Sequence, residues 1–79
     1  MNDAYQIINN ETNEILFNPD SFSVNRQDMF IFVYVPFRKI SKQYVAENGH
    51  SIMLTHGNFK YEFKYTIRAN RGYLLGFSY

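Results

Sequence analysis

The sequence predicts an all-β fold: a small antiparallel meander of six to seven strands that forms a barrel-like or single-sheet domain. Three observations lead to this prediction. Apolar and polar residues alternate with period two, turn-forming residues separate the alternating segments, and the 79 residues include eight Phe and seven Tyr. A chain this short has a thin core and, without cysteine, no disulfide to stabilise it. Because each large ring can bury much apolar surface, these rings can build that core. The length predicts a single domain over residues 1–79.

The clearest predicted element is a C-terminal hairpin over Phe59–Tyr79. All ten residues of Phe59–Arg68 obey the alternation, with rings or Ile at odd positions and charged residues or Thr at even positions. We therefore expect the odd-numbered side chains to pack inward and the even-numbered side chains to face water. The sequence Ala69–Gly72 predicts the turn, because Asn and Gly tolerate the backbone angles that tight turns require. The alternating segment Tyr73–Tyr79 is the second arm.

The N-terminal half predicts a second hairpin and a central strand. Residues 5–8 and 14–17 flank a polar connection of five residues. The run Met29–Val35 is apolar at every position, which fits either a central strand covered on both faces or the wall of a small barrel, with pairing on one side ending at Pro36. Between them, a short strand around Phe22 and Val24 and a loop are equally compatible with the pattern.

Two interpretations compete for the segment between Arg38 and Thr55. The Asn48-Gly49 pair favours a tight hairpin that would pair Val45 with Ile52 and Tyr44 with Met53. The alternative is an α+β fold with one short helix near 40–48, in which Ser41 is the N-cap and Gly49 ends the helix. We favour the hairpin, because Tyr and Val suit strands better than helices.

Charge is divided along the chain although the formal net charge is only +1. Residues 1–37 carry five acidic residues and one basic residue, whereas residues 38–79 carry seven basic and two acidic residues. The second half therefore predicts a basic surface. Its candidate partner-binding residues follow the C-terminal hairpin: a basic row along the polar face of the first arm and its turn, namely Lys60, Lys64, Arg68 and Arg71, together with Tyr73 and Tyr79. A second basic cluster precedes the ambiguous segment: Arg38, Lys39 and Lys42.

The sequence predicts a protein that is not an enzyme and that holds no cofactor or metal. The chain contains no cysteine, no glycine-rich phosphate loop and no serine in a nucleophile-elbow pattern. The acidic residues are scattered, and Glu11 and Glu14 belong to a polar connection where carboxylates are solvated. His50 and His56 are the only histidines, so they cannot complete a four-ligand zinc site without further ligands of another kind.

The predicted function is protein–protein contact by a small inhibitor or accessory factor. Asn, Lys, Ile, Tyr and Phe, all encoded by A/T-rich codons, dominate the composition, as in many bacterial and phage proteins. By analogy of size and composition, an anti-CRISPR or other counter-defence protein is an example of this kind. The alternative is a small β-barrel that binds single-stranded nucleic acid through the basic strand face. We expect a cytoplasmic chain with no membrane contact, and a homodimer is a further option that surplus rings favour.

Overall fold

The computed structural model describes residues 4–41, 43–45 and 49–79, and it confirms the all-β antiparallel fold. Seven strands form one sheet that is curled into a half-barrel. In chain order they are β1 (Tyr5–Asn9), β2 (Ile15–Phe17), β3 (Val24–Gln27), β4 (Phe30–Pro36), β5 (Ile52–His56), β6 (Phe59–Arg68) and β7 (Gly72–Ser78). A short 3-10 helix, Ser21–Ser23, precedes β3.

The strands lie in the spatial order β2-β1-β5-β6-β7-β4-β3. The C-terminal strands β5, β6 and β7 form a meander in the middle of the sheet, and one N-terminal hairpin lies on each side of it. Both predicted hairpins, β1–β2 and β6–β7, are confirmed. The half of the sequence that is rich in basic residues therefore supplies the centre of the sheet, and the half that is rich in acidic residues supplies its two sides.

The curl of the sheet follows from the connection between its two edge strands. The edges of a flat seven-stranded sheet would lie about 29 Å apart, at about 4.8 Å per strand. The chain from Phe17 to Val24 spans at most about 25 Å when fully extended, and the 3-10 turn within it shortens that reach. The sheet must therefore bend to bring β2 and β3 closer together.

The concave face of the half-barrel holds the hydrophobic core. Its fully buried members come from five strands and include Ile7, Val33, Leu54, Tyr61, Leu75 and Phe77. In β4 the odd-numbered residues are buried and the even-numbered residues are only partly buried, so of the two interpretations this strand fits the wall of a barrel-like sheet and not a strand covered equally on both faces. The strand ends at Pro36, as expected from its missing N–H group.

The favoured hairpin around residues 48–49 is wrong, although Asn48 itself lies outside the described residues. Both edges of β5 are occupied, since Met53 pairs with Ile8 of β1 on one side and with Glu62 of β6 on the other. Residues 43–45 are instead helical. The Ser41 hydroxyl accepts a hydrogen bond from the Tyr44 N–H at 2.9 Å, which is the N-cap of the alternative interpretation.

This short helix closes the core at one end of the half-barrel. Ile40 and Val45 belong to the buried cluster, and the Tyr44 ring packs against it. The side-chain amide of Asn9 donates to the Tyr44 hydroxyl at 3.4 Å, and burial raises the pKa of that phenol. The helical backbone is thus stabilised by its cap and by tertiary burial, which outweigh the weak helix propensity of Tyr and Val.

A β-bulge at Lys64 divides β6 and overturns part of the predicted face assignment. Phe63 pairs with Phe77 of β7, but the next paired residue is Tyr65, opposite Gly76. Lys64 is therefore an extra residue without a partner in β7, and the alternation is shifted by one from that point onward. Tyr61 is buried with 1% of its surface exposed, whereas Tyr65 and Ile67 are 40% and 45% exposed.

The prediction that all odd-numbered residues of β6 pack inward is thus confirmed for Tyr61 and Phe63 and wrong beyond the bulge. Phe59 is also exposed, because it begins the strand beside the tight turn at Gly57, whose φ is 63°. After the bulge, Thr66 and Arg68 lie opposite the buried residues Leu75 and Tyr73, and so they share the concave face.

Candidate functional site: an aromatic outer face and a basic cleft

The convex side of the sheet carries a cluster of apolar side chains that we call the aromatic face. Residues that pair directly in neighbouring antiparallel strands share a face. Tyr65 pairs with Gly76, which pairs with Phe32, and Ile67 pairs with Leu74, which pairs with Tyr34. The aromatic face consists of Phe30, Phe32, Tyr65, Ile67 and Leu74, and Tyr34 borders it where the cavity described below begins.

The rings of this face contact one another across three strands. The Tyr65 ring centroid lies 6.0 Å from that of Phe30 and 6.0 Å from that of Phe32, both in edge-to-face geometry. Phe30 and Phe32 lie 6.2 Å apart on the same strand. Edge-to-face pairs at these distances stabilise each other, so the cluster is an ordered surface.

Gly76 allows this cluster to form. A Cβ atom placed on Gly76 would lie 3.1 Å from Cζ of Tyr65, closer than ordinary van der Waals contact. The Tyr65 ring therefore lies directly over the backbone of β7, in space that any other residue would fill. An isolated glycine within a strand is a known mark of a bulge or of close approach, and this signal could have revealed both features from the sequence.

Two lysines of the predicted basic row lie beside the aromatic face. Lys60 and Glu62 project from the exposed side of β6, and Lys64 contacts Glu62 with 3.5 Å between Nζ and Oε2. This is an exposed ion pair, so it contributes little to stability. Lys60 pairs across the ladder with Thr55 rather than with an acidic residue. On β6, two lysines and one glutamate therefore lie next to the aromatic face.

The remaining residues of the predicted row do not share that surface. Arg68 lies beyond the bulge and faces the concave side, where its guanidinium carbon sits 5.6 Å from the centroid of the Phe37 ring. Arg71 lies in the turn between β6 and β7. The row that the sequence predicts along one strand face is thus divided into Lys60 and Lys64 on one side and Arg68 on the other.

The two candidate tyrosines differ in exposure. Tyr73 was expected at a contact surface but is only 6% exposed, and its ring packs edge-to-face against Phe37 at 5.0 Å. Its hydroxyl is buried without a hydrogen-bond partner among the residues that the structure describes. Tyr79 is well exposed, and its hydroxyl lies 3.4 Å from that of Tyr61.

Tyr79 belongs to a group of polar rings at the opposite end of the half-barrel from the short helix. Arg26 reaches from β3 to the Tyr5 hydroxyl at 3.2 Å, and Tyr5 stacks on His56 with ring centroids 4.0 Å apart. The hydrogen bond with Tyr79, together with burial, raises the pKa of Tyr61. Because β1 and β3 are not neighbours in the sheet, the Arg26 contact links two strands across the open side.

A second surface, which we call the basic cleft, unites residues that the sequence analysis placed in separate clusters. Arg38 and Lys39 follow β4, Arg71 lies in the β6–β7 turn, and all three line one cavity of about 520 Å³. The Phe37 N–H donates to the carbonyl oxygen of Arg71 at 3.1 Å, which holds the two loops together. Lys42, the third predicted member of this cluster, lies outside the described residues.

The histidines lie apart and in different environments. His56 ends β5 against Tyr5, whereas His50 contacts the Phe63 ring edge-to-face at 6.3 Å. Within residues 4–41, 43–45 and 49–79, no three His, Asp or Glu residues converge in a way that could hold a metal ion. Over the same ranges, no helix is long and apolar enough to span a membrane.

Comparison of the chain with protein-family models, with curated proteins and with solved structures finds no match. The aromatic face and the basic cleft are therefore the two surfaces that point to a function.

Proposed function

We propose that this chain is a non-catalytic binding protein that acts through protein–protein contact at its aromatic face. In this role it would resemble the small inhibitors and accessory factors of bacteria and their phages, of which anti-CRISPR and other counter-defence proteins are examples. Such a protein would work in the cytoplasm, where its partner is a larger protein or complex.

The observation that carries this proposal is the exposure of large apolar side chains on one ordered surface. Tyr65 and Ile67 are each more than one-third exposed, and Phe30, Phe32 and Leu74 are partly exposed beside them. Scattered exposed apolar residues are ordinary on protein surfaces, but a contiguous cluster that includes several rings is typical of an interface. Aromatic residues also supply much of the binding energy in such interfaces.

The charge next to the face favours a separate protein partner over a second copy of this chain. Lys60 and Lys64 flank the aromatic face, and Glu62 is the acidic residue that lies between them on β6. A partner with an apolar patch and an acidic margin would complement both features. In a symmetric dimer through this face, lysines of the two copies would border the same interface.

The nucleic-acid alternative has less support from the fold. It depends on a continuous row of basic residues along one strand face, and the bulge at Lys64 turns Arg68 to the opposite side. Glu62 also contacts Lys64 and partly neutralises it. Single-strand binding requires a positively charged track with stacking rings along it, so the divided row favours protein contact.

A retention experiment with two matched variants tests the proposal. Wild type, Ile67→Lys and Ile15→Lys are immobilised and exposed to a bacterial lysate, and the retained proteins are quantified. Ile15 lies on the edge strand β2, outside the aromatic face and among the residues that line the basic cleft, and it is 50% exposed against 45% for Ile67. Both variants thus place the same charge on a similarly exposed Ile, and thermal unfolding verifies that both remain folded.

The expected result is a protein that wild type and Ile15→Lys retain equally and that Ile67→Lys retains roughly tenfold less or worse. That protein should stay bound when salt is raised, because apolar contact is little affected by ionic strength. Equal retention by all three chains, or no retained protein, would contradict the proposal. If wild type is a dimer and Ile67→Lys is a monomer, the partner at the aromatic face is instead a second copy of this chain.

A further inference from the structure

The basic cleft has the properties of a small-ligand site, and its chemistry differs from that of the aromatic face. Its volume of about 520 Å³ falls in the range typical of ligand pockets, roughly 300–1,000 Å³. It forms where β2, the connection with the 3-10 helix, the end of β4 and two loops meet. A ligand there would contact parts of the chain that are distant in sequence.

The charges of the cleft favour an anion. Arg38, Lys39 and Arg71 line it together with a single carboxylate, that of Asp20. Within the described part of the chain, no side-chain hydrogen bond or ion pair engages any of these three cations. Guanidinium groups bind phosphate oxygens in two-pronged geometry, and two arginines on adjoining loops could bind one phosphate group together.

Aromatic side chains on the same cleft favour a planar group next to that anion. Phe22, on the 3-10 helix, is 86% exposed, so nearly its whole ring is available to a ligand. Tyr34 lines the cleft from β4 and is partly exposed. Stacking on such rings is the usual way in which proteins bind nucleobases without regard to sequence. The carboxylate of Asp20 can accept hydrogen bonds from the hydroxyl groups of a sugar.

We propose that the basic cleft binds a free nucleotide, with its phosphate on Arg38 and Arg71 and its base against Phe22 and Tyr34. The inference goes beyond the protein contact at the aromatic face and does not depend on it. A single nucleotide is favoured over a nucleic-acid strand because the cations converge on one cavity, whereas the longer basic row is broken at Lys64.

Calorimetric titration of the purified full chain tests this site. The probes are AMP, ATP, adenosine, inorganic phosphate and a short single-stranded oligonucleotide, each at low and at high salt. We expect the two nucleotides to bind and adenosine to bind far more weakly, since it lacks the phosphate. The affinity for nucleotides should fall as salt rises, because the contact is partly electrostatic.

Matched variants assign the binding to the cleft. Arg71→Ala should weaken nucleotide binding roughly tenfold or more, while Arg68→Ala should leave it unchanged, because Arg68 lies against Phe37 and does not line the cavity. Phe22→Ala should weaken nucleotide binding but leave any binding of inorganic phosphate as it was. These side chains are exposed, so folding should be unaffected, which circular dichroism can verify.

Three outcomes would overturn the inference. The first is the absence of binding by both nucleotides at millimolar concentration. The second is an equal loss in Arg71→Ala and Arg68→Ala, which would place the contact elsewhere. The third is an oligonucleotide that binds much more tightly than either nucleotide, which would identify the ligand as a strand. None of these results bears on retention of a protein by the aromatic face, so the two proposals fail separately.

Discussion

Tyr61 and Phe63 precede the bulge in β6 and pack into the core, whereas Tyr65 and Ile67 follow it and lie on the outer surface. The two halves have the same alternating sequence, with a large apolar residue at every second position. One unpaired residue, Lys64, reverses the orientation between them. The comparison teaches that alternation identifies two faces of a strand but does not say that either face stays on the same side throughout.

The largest expected effect comes from truncation of one ring in each half of β6. Tyr61→Ala should lower the free energy of unfolding by about 3–5 kcal/mol, because it leaves a cavity in the core. Tyr65→Ala should cost about 1 kcal/mol, since its ring is exposed and only covers neighbouring rings. Denaturant titration of both variants measures the difference. Equal costs would mean that both halves of β6 face the same environment.

Deletion of Lys64 tests the bulge itself. Because Lys64 has no partner in β7, its removal lets Tyr65 follow Phe63 directly while every other pair with β7 is kept. We expect a folded protein that is destabilised by about 1–2 kcal/mol, mainly through lost curvature. If β6 were a regular strand, the same deletion would turn residues 65–68 to the wrong face. Loss of cooperative unfolding in the deletion variant would therefore contradict the bulge.

Substitution of Gly76 tests the close approach that accompanies the exposed half. Gly76→Ala places a methyl group 3.1 Å from Cζ of Tyr65, and the ring must move to relieve the contact. We expect a cost of about 1 kcal/mol, measured by denaturant titration, and a smaller cost when Tyr65 is already Ala. A cost that is the same in both backgrounds would show that the Tyr65 ring does not lie over Gly76.

The buried half should also make stability depend on pH in the alkaline range. The hydrogen bond with Tyr79 and burial raise the pKa of Tyr61 above its ordinary value of 10.0. The folded state then holds this proton more tightly than the unfolded chain, so the stabilisation is complete below about pH 10 and is lost as pH rises through the raised pKa. Urea titrations between about pH 8 and pH 11 should show a shallower decline for Tyr61→Phe than for wild type. Parallel declines would count against this contribution of Tyr61.

Local patterns predicted most of the strands, but long-range geometry determined what each face does. Alternation and turn residues were sufficient for the β1–β2 and β6–β7 hairpins. They could not show that β5 pairs with β1 on one edge and with β6 on the other. For this reason the sequence favoured a hairpin where residues 43–45 form a helix. The helix is stabilised by the Ser41 cap and by burial of Val45, and the second of these depends on the tertiary fold.

The candidate sites were less predictable than the fold. The sequence placed Arg71 in one row with Lys60, Lys64 and Arg68, because all four follow one strand or its turn. The curled sheet instead brings Arg71 to Arg38 and Lys39 across a cleft. The aromatic face was missed because the apolar run of β4 did not show which of its residues face outward, and because the ring that joins Phe30 and Phe32 there, Tyr65, is turned outward by the bulge in a strand two places away.

The most direct test of the reversal at Lys64 is the reaction of single cysteines with a thiol reagent in the folded protein. The chain has no native cysteine, so each introduced thiol is the only one present. Thr66→Cys and Ile67→Cys are adjacent; the first nearly conserves volume, and the second removes volume only from an exposed position. With the bulge, the cysteine at position 67 should react faster than that at position 66, because residue 67 is exposed and residue 66 is only partly so. The opposite order would contradict the reversal of faces on which the aromatic face depends.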